Sequence, residues 1–415
     1  RLPASVAVKP LLVLDNSVFQ SGFSRYSVSA QQGVQVANGA NIDVTMPLLR
    51  ADMAAARATS TGADPSAVLQ RWLPPLWQEA PLKGVLTQRA GADLALGAGS
   101  VYRQAPVVVG ARATLSVDPG RSLTLTGNAQ ITVDGTLNAW SGRIGLLPGS
   151  FGTGNDADRA NGTPDATSIW IGSKAVLDVA GRADTAIDSQ GRVYGHVGDG
   201  GSIEIGAAYS ANAGMVNPAD AFVVVRPGAR LEASGAAARL DLPGRGTVEV
   251  AGDGGVISLA SYRGLFLDGS MRAAAGGAGA AGGTLALALE TPNYGVVDKL
   301  SLKGINVDDA VRVPRELVLA QVQGDSGLSA DLKVGNREDA LAYGRARIGV
   351  DRIAQGGFDN LSLLANGLVS FDGNVDLRMG QSLGLTASAF GLALNAAPAA
   401  QVRLPAPYIR VAGTT

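Results

Sequence analysis

Five carboxylates sit opposite apolar residues in short alternating stretches: Asp178, Glu204, Glu232, Glu249 and Asp268. On an extended strand the period of two sends such residues to the solvent side. Two or three carboxylates converging on one outer face beside Arg or Lys would equip a polysaccharide lyase or glycosidase. Outward acids also occur on any solvated strand, so the question is whether these stack. A second oxygen-rich cluster lies in NDADRANGTPDA, which sets Asp156, Asp158, Asn161 and Asp165 close together. Calcium wants six to eight oxygen ligands, but the spacing misses the D-x-D-x-[DN]-G pattern by one residue and no bidentate Glu follows. These four residues are therefore expected to form a solvated contact surface with no bound metal.

The remaining candidates point away from catalysis. His196, in RVYGHVGDGG, is the single histidine, and there is no cysteine. A His-rich metal centre, a thiolate site and a Ser-His-Asp triad all lack their parts. GAGAAG at 277–282 matches the dinucleotide pattern literally, yet TLALALE follows with strand alternation where the fingerprint needs a helix, so it reads as a turn. Four tryptophans stand out in a chain with 5% aromatics. Trp72 and Trp77 flank Pro74 and Pro75 and are expected to pin a local excursion onto the body. Trp140 and Trp170 lie at the ends of repeat strands, and Trp170, alternating with Ile169 and Ile171, is expected to face outward as a contact residue. No catalytic residue, cofactor or metal is assigned.

Composition sets the frame for these side chains. With 56 glycines and few aromatics, the core must be built from small and branched aliphatics, and the backbone must turn often. A formal charge of −1 gives no electrostatic footprint for nucleic acid. The opening RLPASVAVKPLLVLDNSVFQ is broken by Lys9, Pro10 and Asp15, so it reads as neither a signal segment nor a membrane span. The chain is expected to be an interior piece of something longer.

The organising feature is a repeat. SIWIGSKAVLDVAG at 168–181 returns as FVVVRPGARLEASG at 222–235, with further copies at 107–120, 123–135 and 246–270. Short alternating strands closed by glycine at near-constant spacing, without hairpin dipeptides, favour a solenoid. The reading is all-β: a right-handed parallel β-helix (β-solenoid) with a helical excursion and an extra-helical insertion. Its expected parts are a β-rich start or cap (1–46), a helical excursion (47–104), coils with loop insertions (105–289), an insertion (290–346) and further coils (347–415). Within the excursion, Asp64 is expected to cap a helix with Pro65 at its first position, running to about Leu73. In the last block Leu361, Leu363, Val369, Phe371, Val375, Leu377, Leu383 and Leu385 are the expected inward residues. Glycine is expected at corners of positive φ, and about twelve rungs would make a shaft on the order of 55 Å.

GSKAVLDVAGRA, GGFDNLSL followed by VSFDGNVDLRMGQSLGL, and the closing VRLPAPYIRVAG resemble the filamentous haemagglutinin family of large bacterial exoproteins exported by two-partner secretion. The resemblance covers about 105–415. It implies a right-handed β-helix in the shaft of a secreted or outer-membrane-surface adhesin that meets a cell-surface receptor or glycan. It also implies an outer-membrane transporter for the full-length protein and neighbouring solenoid segments of the same polypeptide. Neither the family's secretion domain nor a terminal toxin is visible in this sequence. Two rivals follow from the same fold: a β-helix polysaccharide lyase or glycosidase, and the stick of a contact-dependent toxin-delivery exoprotein.

Overall fold

The echo of fifty-four positions is a spatial register. Ser168–Ile171 lies parallel to Phe222–Val225 with Ser168 against Phe222, and Val176–Asp178 lies parallel to Arg230–Glu232 with Val176 against Arg230. The repeated phrase is thus one strand, a corner and a second strand, stacked directly on its copy. The copy at 107–120 has the same phase. The stretch at 123–135 spans the preceding corner instead, and 246–270 begins in a hairpin before joining the stack. These relations come from a computed structural model, which describes residues 12–99, 104–149, 166–210, 214–215, 217–291 and 313–414.

Three parallel faces make up a β-helix. The first face begins with Arg25–Ala30 and continues through Asp93–Ala98, Ser122–Gly127, Arg143–Pro148, Ser202–Ile205, Val256–Ser261 and Thr284–Leu289. It ends with residues 360–365, 382–387 and Tyr408–Ala412. Those ten strands, at about 4.8 Å spacing, give an axis of roughly 43 Å, shorter than the sequence suggested. The second face carries Val34–Val36, Val107–Val109, Ile131–Val133, Ser168–Ile171, Phe222–Val225 and Gly264–Leu267. The third carries Asn41–Val44, Thr114–Val117, Thr136–Asn138, Val176–Asp178, Arg230–Glu232 and Ser270–Arg272. In the long strands Asn360–Asp372 and Ser382–Leu392 a register shift between Ala365 and Leu368 turns the corner without leaving the sheet.

Alternation decides what is inside. Leu137, Leu177, Leu231 and Met271 share one register position on the third face, and all four are buried. Each such side chain contributes about 1.5–3 kcal/mol of hydrophobic stabilisation. All eight inward residues expected in the last block are buried. The corner glycines require a correction, because many are there for want of space and not for positive φ. A Cβ on Gly201 would stand 2.0 Å from the carbonyl oxygen of Gly142, and one on Gly255 would stand 1.9 Å from that of Gly201. The same carbonyls accept the ladder bonds from Ser202 and Val256 at 2.8 and 2.9 Å. Rung-to-rung contact at this corner is backbone on backbone.

The ends differ. Below the first rung, the segment Asn16–Gln20 buries Phe19 against Tyr26 at 5.8 Å between rings. The Tyr26 hydroxyl accepts from the N–H groups of Ser21, Gly22 and Phe23 at 2.8, 3.1 and 3.2 Å. On the last rung, Ile409 and Val411 occupy the inward register above Leu383 and Leu385, yet they are 49% and 61% exposed.

Two expected boundaries change. The excursion at 47–104 is mainly strand: a hairpin of Leu48–Ala51 with Leu69–Trp72, a second of Trp77–Ala80 with Val85–Gln88, and one short α-helix, Met53–Ala58. Asp64 does cap Pro65–Val68, accepting from Ser66 N–H at 2.8 Å, but this is a single 3-10 turn that leads into a strand at Leu69. The sequence QRW, with a hairpin partner available, goes to strand over helix. The insertion at 290–346 rejoins the second face twice. Arg315–Ala320 pairs with residues 367–372, and Arg345–Gly349 fits between it and Gly264–Leu267. The strand that comes later in sequence therefore sits lower in the stack. Arg315 is fully buried because three carbonyls receive its guanidinium, those of Tyr262, Glu290 and Val313. No helix among the described residues is long and apolar enough to cross a membrane.

Candidate functional site

The third face ends in a groove. Its outward ladder runs Asp43, Ser116, Asn138, Asp178, Glu232, Arg272 at one register position, beside Thr114, Thr136, Val176, Arg230 and Ser270 at the other. Above Ser270–Arg272 the stack continues as the helix Val350–Gly356, tied down by the Ala273 N–H donating to the Gly356 carbonyl at 2.8 Å. The helix forms a ledge, and beneath it lies a cavity of about 300 Å³ lined by Asp178, Arg230, Glu232, Arg272, Arg352 and Gln355.

The five outward acids thus separate. Asp178 and Glu232 stack on successive rungs inside this groove. Glu204 is buried and bound to the Arg143 guanidinium at 2.9 Å, which holds that arginine above its ordinary pKa. Asp268 accepts from the backbone and hydroxyl of Ser326 at 3.0 and 2.5 Å, and Glu249 stands on a hairpin with its carboxylate beside the corner residue Gly277, outside this groove. Within the groove, Asp178 is occupied. It accepts from the Trp140 indole at 3.1 Å, the Arg182 guanidinium at 2.9 Å and the Ala180 N–H at 3.0 Å. Glu232 accepts from the Ser234 N–H at 3.0 Å through one oxygen.

The arginines are the reverse case. Among the described residues, Arg89, Arg143 and Arg263 are paired with Asp118, Glu204 and Asp220. The side chains of Arg230 and Arg272, both exposed, and of Arg352 make no ion pair or hydrogen bond there, as is also true of Arg25, Arg57, Arg239 and Arg410. A pair of anchored carboxylates below three unengaged guanidiniums can accept hydroxyls and grip an anion. Acid–base chemistry would need a carboxyl free to exchange its proton, and Asp178 is committed to three donors.

Trp170 is placed otherwise than expected. It points out of the coil core, but it is buried, and it belongs to a second apolar cluster with Ala166, Phe222, Val224, Phe266, Leu328 and Leu341. The cluster is the outer side of the second face, covered by residues 321–344. Arg226 lies over the Trp170 ring at 5.3 Å and donates to the carbonyl of Ser329 at 2.7 Å, so it joins the covering strap to the shaft. Trp170 is therefore a docking residue of the strap and not an open contact. A cavity of about 530 Å³ beside the strap holds the Glu316–Arg345 pair, whose charges answer each other.

Asp156, Asp158, Asn161 and Asp165 lie outside the described residues. Among the described residues no three of His, Asp or Glu come together in a metal-sized group. His196 is an exposed strand residue stacked on Trp77 at 5.3 Å. Trp77 thereby joins two hairpins to each other. Ala183–Ile187 with Val193–Val197, and Ala237–Leu242 with Gly246–Ala251, complete a lobe of three hairpins, linked by Val193 N–H to Asp241 at 2.7 Å. The Arg groove was legible only in part, since RLE and SMR read as solvated strand ends and the ledge Arg352 lies eighty residues beyond Arg272. No family model, no curated protein and no solved structure matches this chain.

Proposed function

We propose that this chain is a structural and adhesive shaft segment of a large secreted or surface-displayed bacterial exoprotein that mediates cell or host contact. The observation that carries the reading is the division of labour in the fold. One ladder of satisfied parallel strands runs from the capped first rung to the uncovered last one, and the strap, hairpins and groove stand outside it. The exposed inward residues Ile409 and Val411 support a rung prepared to receive a further coil, which fits neighbouring solenoid segments of one polypeptide. The hairpin lobe presents Leu82 and Ile187 at 90% and 63% exposure, as contact elements do. The phrases resembling filamentous haemagglutinin exoproteins support the same reading, with export through an outer-membrane transporter and a cell-surface receptor or glycan as partner.

The stacking of Asp178 on Glu232 favours one second reading, a polysaccharide lyase or glycosidase. A glycan-array screen of the purified chain, with product release followed on the same polysaccharides, separates the two. Binding without turnover is expected. Turnover that is lost in Glu232→Gln would replace the adhesive reading with the enzymatic one.

A further inference from the structure

We infer that Arg345–Gly349 is an exchangeable strand: it leaves the second face together with the strap, and Arg315–Ala320 then closes onto Gly264–Leu267 in its place. This is a conformational switch built into the shaft, independent of the adhesive reading. Its first ground is a mismatch between two faces. From Val256–Ser261 the first face reaches residues 360–365 in two steps, through Thr284–Leu289. Over the same coils the second face takes three, from Gly264–Leu267 through Arg345–Gly349 and Arg315–Ala320 to residues 367–372. One strand is supernumerary there, and it lengthens the second face by about 4.8 Å relative to the first.

The seam that would open lies under Arg345–Gly349. This strand pairs along its whole length with the one above, from Glu316 against Arg345 to Ala320 against Gly349, but with the one below only as Gly264 with Arg345 and Leu265 with Ala346. Its charged side chains also reach upward, Arg345 to Glu316 and Arg347 to Asp372 at 2.7 Å. Arg315 is fastened past it. Its buried guanidinium donates to the carbonyl of Tyr262, just before Gly264, at 2.8 Å and to that of Glu290 at 3.2 Å. Closure also keeps the alternation. Because Arg345 faces both Gly264 and Glu316, its departure sets Glu316 on Gly264, Leu317 on Leu265, Val318 on Phe266 and Leu319 on Leu267. All four leucines already point inward, so no side chain changes sides. The departing strand takes only Ala346 and Ile348 out of the core. The helix Val350–Gly356 stays on the third face, held by Ala273, and 321–349 becomes one long loop.

Hydrogen exchange of the full chain, resolved by peptide, is the first test. Amides of 345–349 should exchange with those of the strap at 325–343, at least about tenfold faster than 315–320, whose ladder bonds re-form on Gly264–Leu267. In a stack without exchange the upper strand cannot outlast the one beneath it, so equal rates for 345–349 and 315–320 would overturn the inference. Disulfide trapping is the second test, and the absence of native cysteine makes it unambiguous. Phe266→Cys with Val318→Cys places two thiols about 9.6 Å apart across the inserted strand, too far to bridge until it leaves. This pair should oxidise under oxidised glutathione, whereas Thr132→Cys with Val224→Cys, equally spaced across Trp170, should stay reduced. Val318→Cys with Arg347→Cys bridges adjacent strands and should bring exchange of 345–349 down to that of 315–320. Circular dichroism checks that each variant is folded. Because loss of the Phe266 ring itself loosens the strap, failure of the first pair to form in a folded variant would overturn the inference. Equal oxidation of the control pair, or unchanged exchange in the locked variant, would do the same.

Discussion

Replacing Trp170 by Ala should undock the strap at 321–344 and leave the shaft folded. The indole is buried between the second face and Leu328 and Leu341, with Arg226 over its ring. Truncating a buried Trp costs about 3–5 kcal/mol in a close-packed core, and loss of a partly desolvated cation–π contact adds about 0.5–2 kcal/mol. Between its ends, over 325–343, the strap's own backbone bonds are local turns such as Leu332 to Ser329 and Leu341 to Glu338. It is anchored by the side-chain links of Ser326 to Asp268 and Ser329 to Arg226. A loss of about 3 kcal/mol should raise the population of the undocked strap on the order of 100-fold. Hydrogen exchange at 325–343 and tryptic cleavage after the exposed Lys333 read that population directly. The main melting transition should barely move, because rungs are held by their neighbours above and below and not by the strap. Leu177→Ala is the contrast: its side chain is buried in the coil interior, so about 2–5 kcal/mol should appear in the main transition with the strap still protected. Unchanged strap protection in Trp170→Ala, or a fall in the main transition equal to that of Leu177→Ala, would refute the assignment of this cluster as a separate docking core.

Gly255→Ala should lose about 3 kcal/mol or more, because the new methyl meets the Gly201 carbonyl at 1.9 Å; Gly279→Ala, in open space, should lose much less despite its φ of +85°, and thermal denaturation compares the two. Glu290 has an orphaned buried oxygen, and burial pushes its carboxyl above the usual range. A raised acid binds its proton more tightly when folded, so its contribution to stability falls as pH rises from the unfolded pKa through the folded one. Glu290→Gln should therefore add about 0.5 kcal/mol at neutral pH, after allowance for solvent screening of a half-buried group, and flatten the stability profile over that window; a loss of stability at neutral pH would contradict this. Ile409→Lys, on the uncovered rung, should leave the melting temperature within about one degree while suppressing concentration-dependent association measured by light scattering.

The coil register was legible because each rung writes the same alternation. Ile169 and Ile171, then Leu177 and Val179, place one side of each strand inward without reference to any distant residue, and the copy at 222–235 repeats the choice. The carboxylate ladder was half legible for the same reason. Period two fixed the side for Asp178 and Glu232, but the identity of the rung above depends on where the chain returns after a hairpin. Glu204 shows the limit: it alternates as an outward acid, yet the rung below offers Arg143, so it is buried as a pair. Trp170 fails differently. Its outward direction was correct, but RELVLA and RARIG had to leave and re-enter the second face before the intervening strap could cover it. The 47–104 excursion misled through Ala-rich and Pro-bounded phrases that carry helix signals, while hairpin partners more than ten residues away decided for strand.

The tolerance for such excursions has a physical basis that bears on function. Successive first-face strands Ser122–Gly127 and Arg143–Pro148 are in register after a coil of about twenty residues, and Arg143–Pro148 and Ser202–Ile205 are equally in register after one nearly three times as long. Loop-closure entropy grows only logarithmically, about 0.6 kcal/mol per doubling, so the longer coil costs about 1 kcal/mol more. Its ladder bonds are unchanged, because they come from the rung below and not from the chain just before. Each corner can therefore carry a strap, a hairpin or a bare glycine turn at nearly equal stability. The groove exists because one coil replaced its third-face strand with the helix Val350–Gly356, which ends the polar ladder and roofs the last two arginine-bearing rungs. A groove is thus gained by altering one coil, at little cost to the stack that displays it.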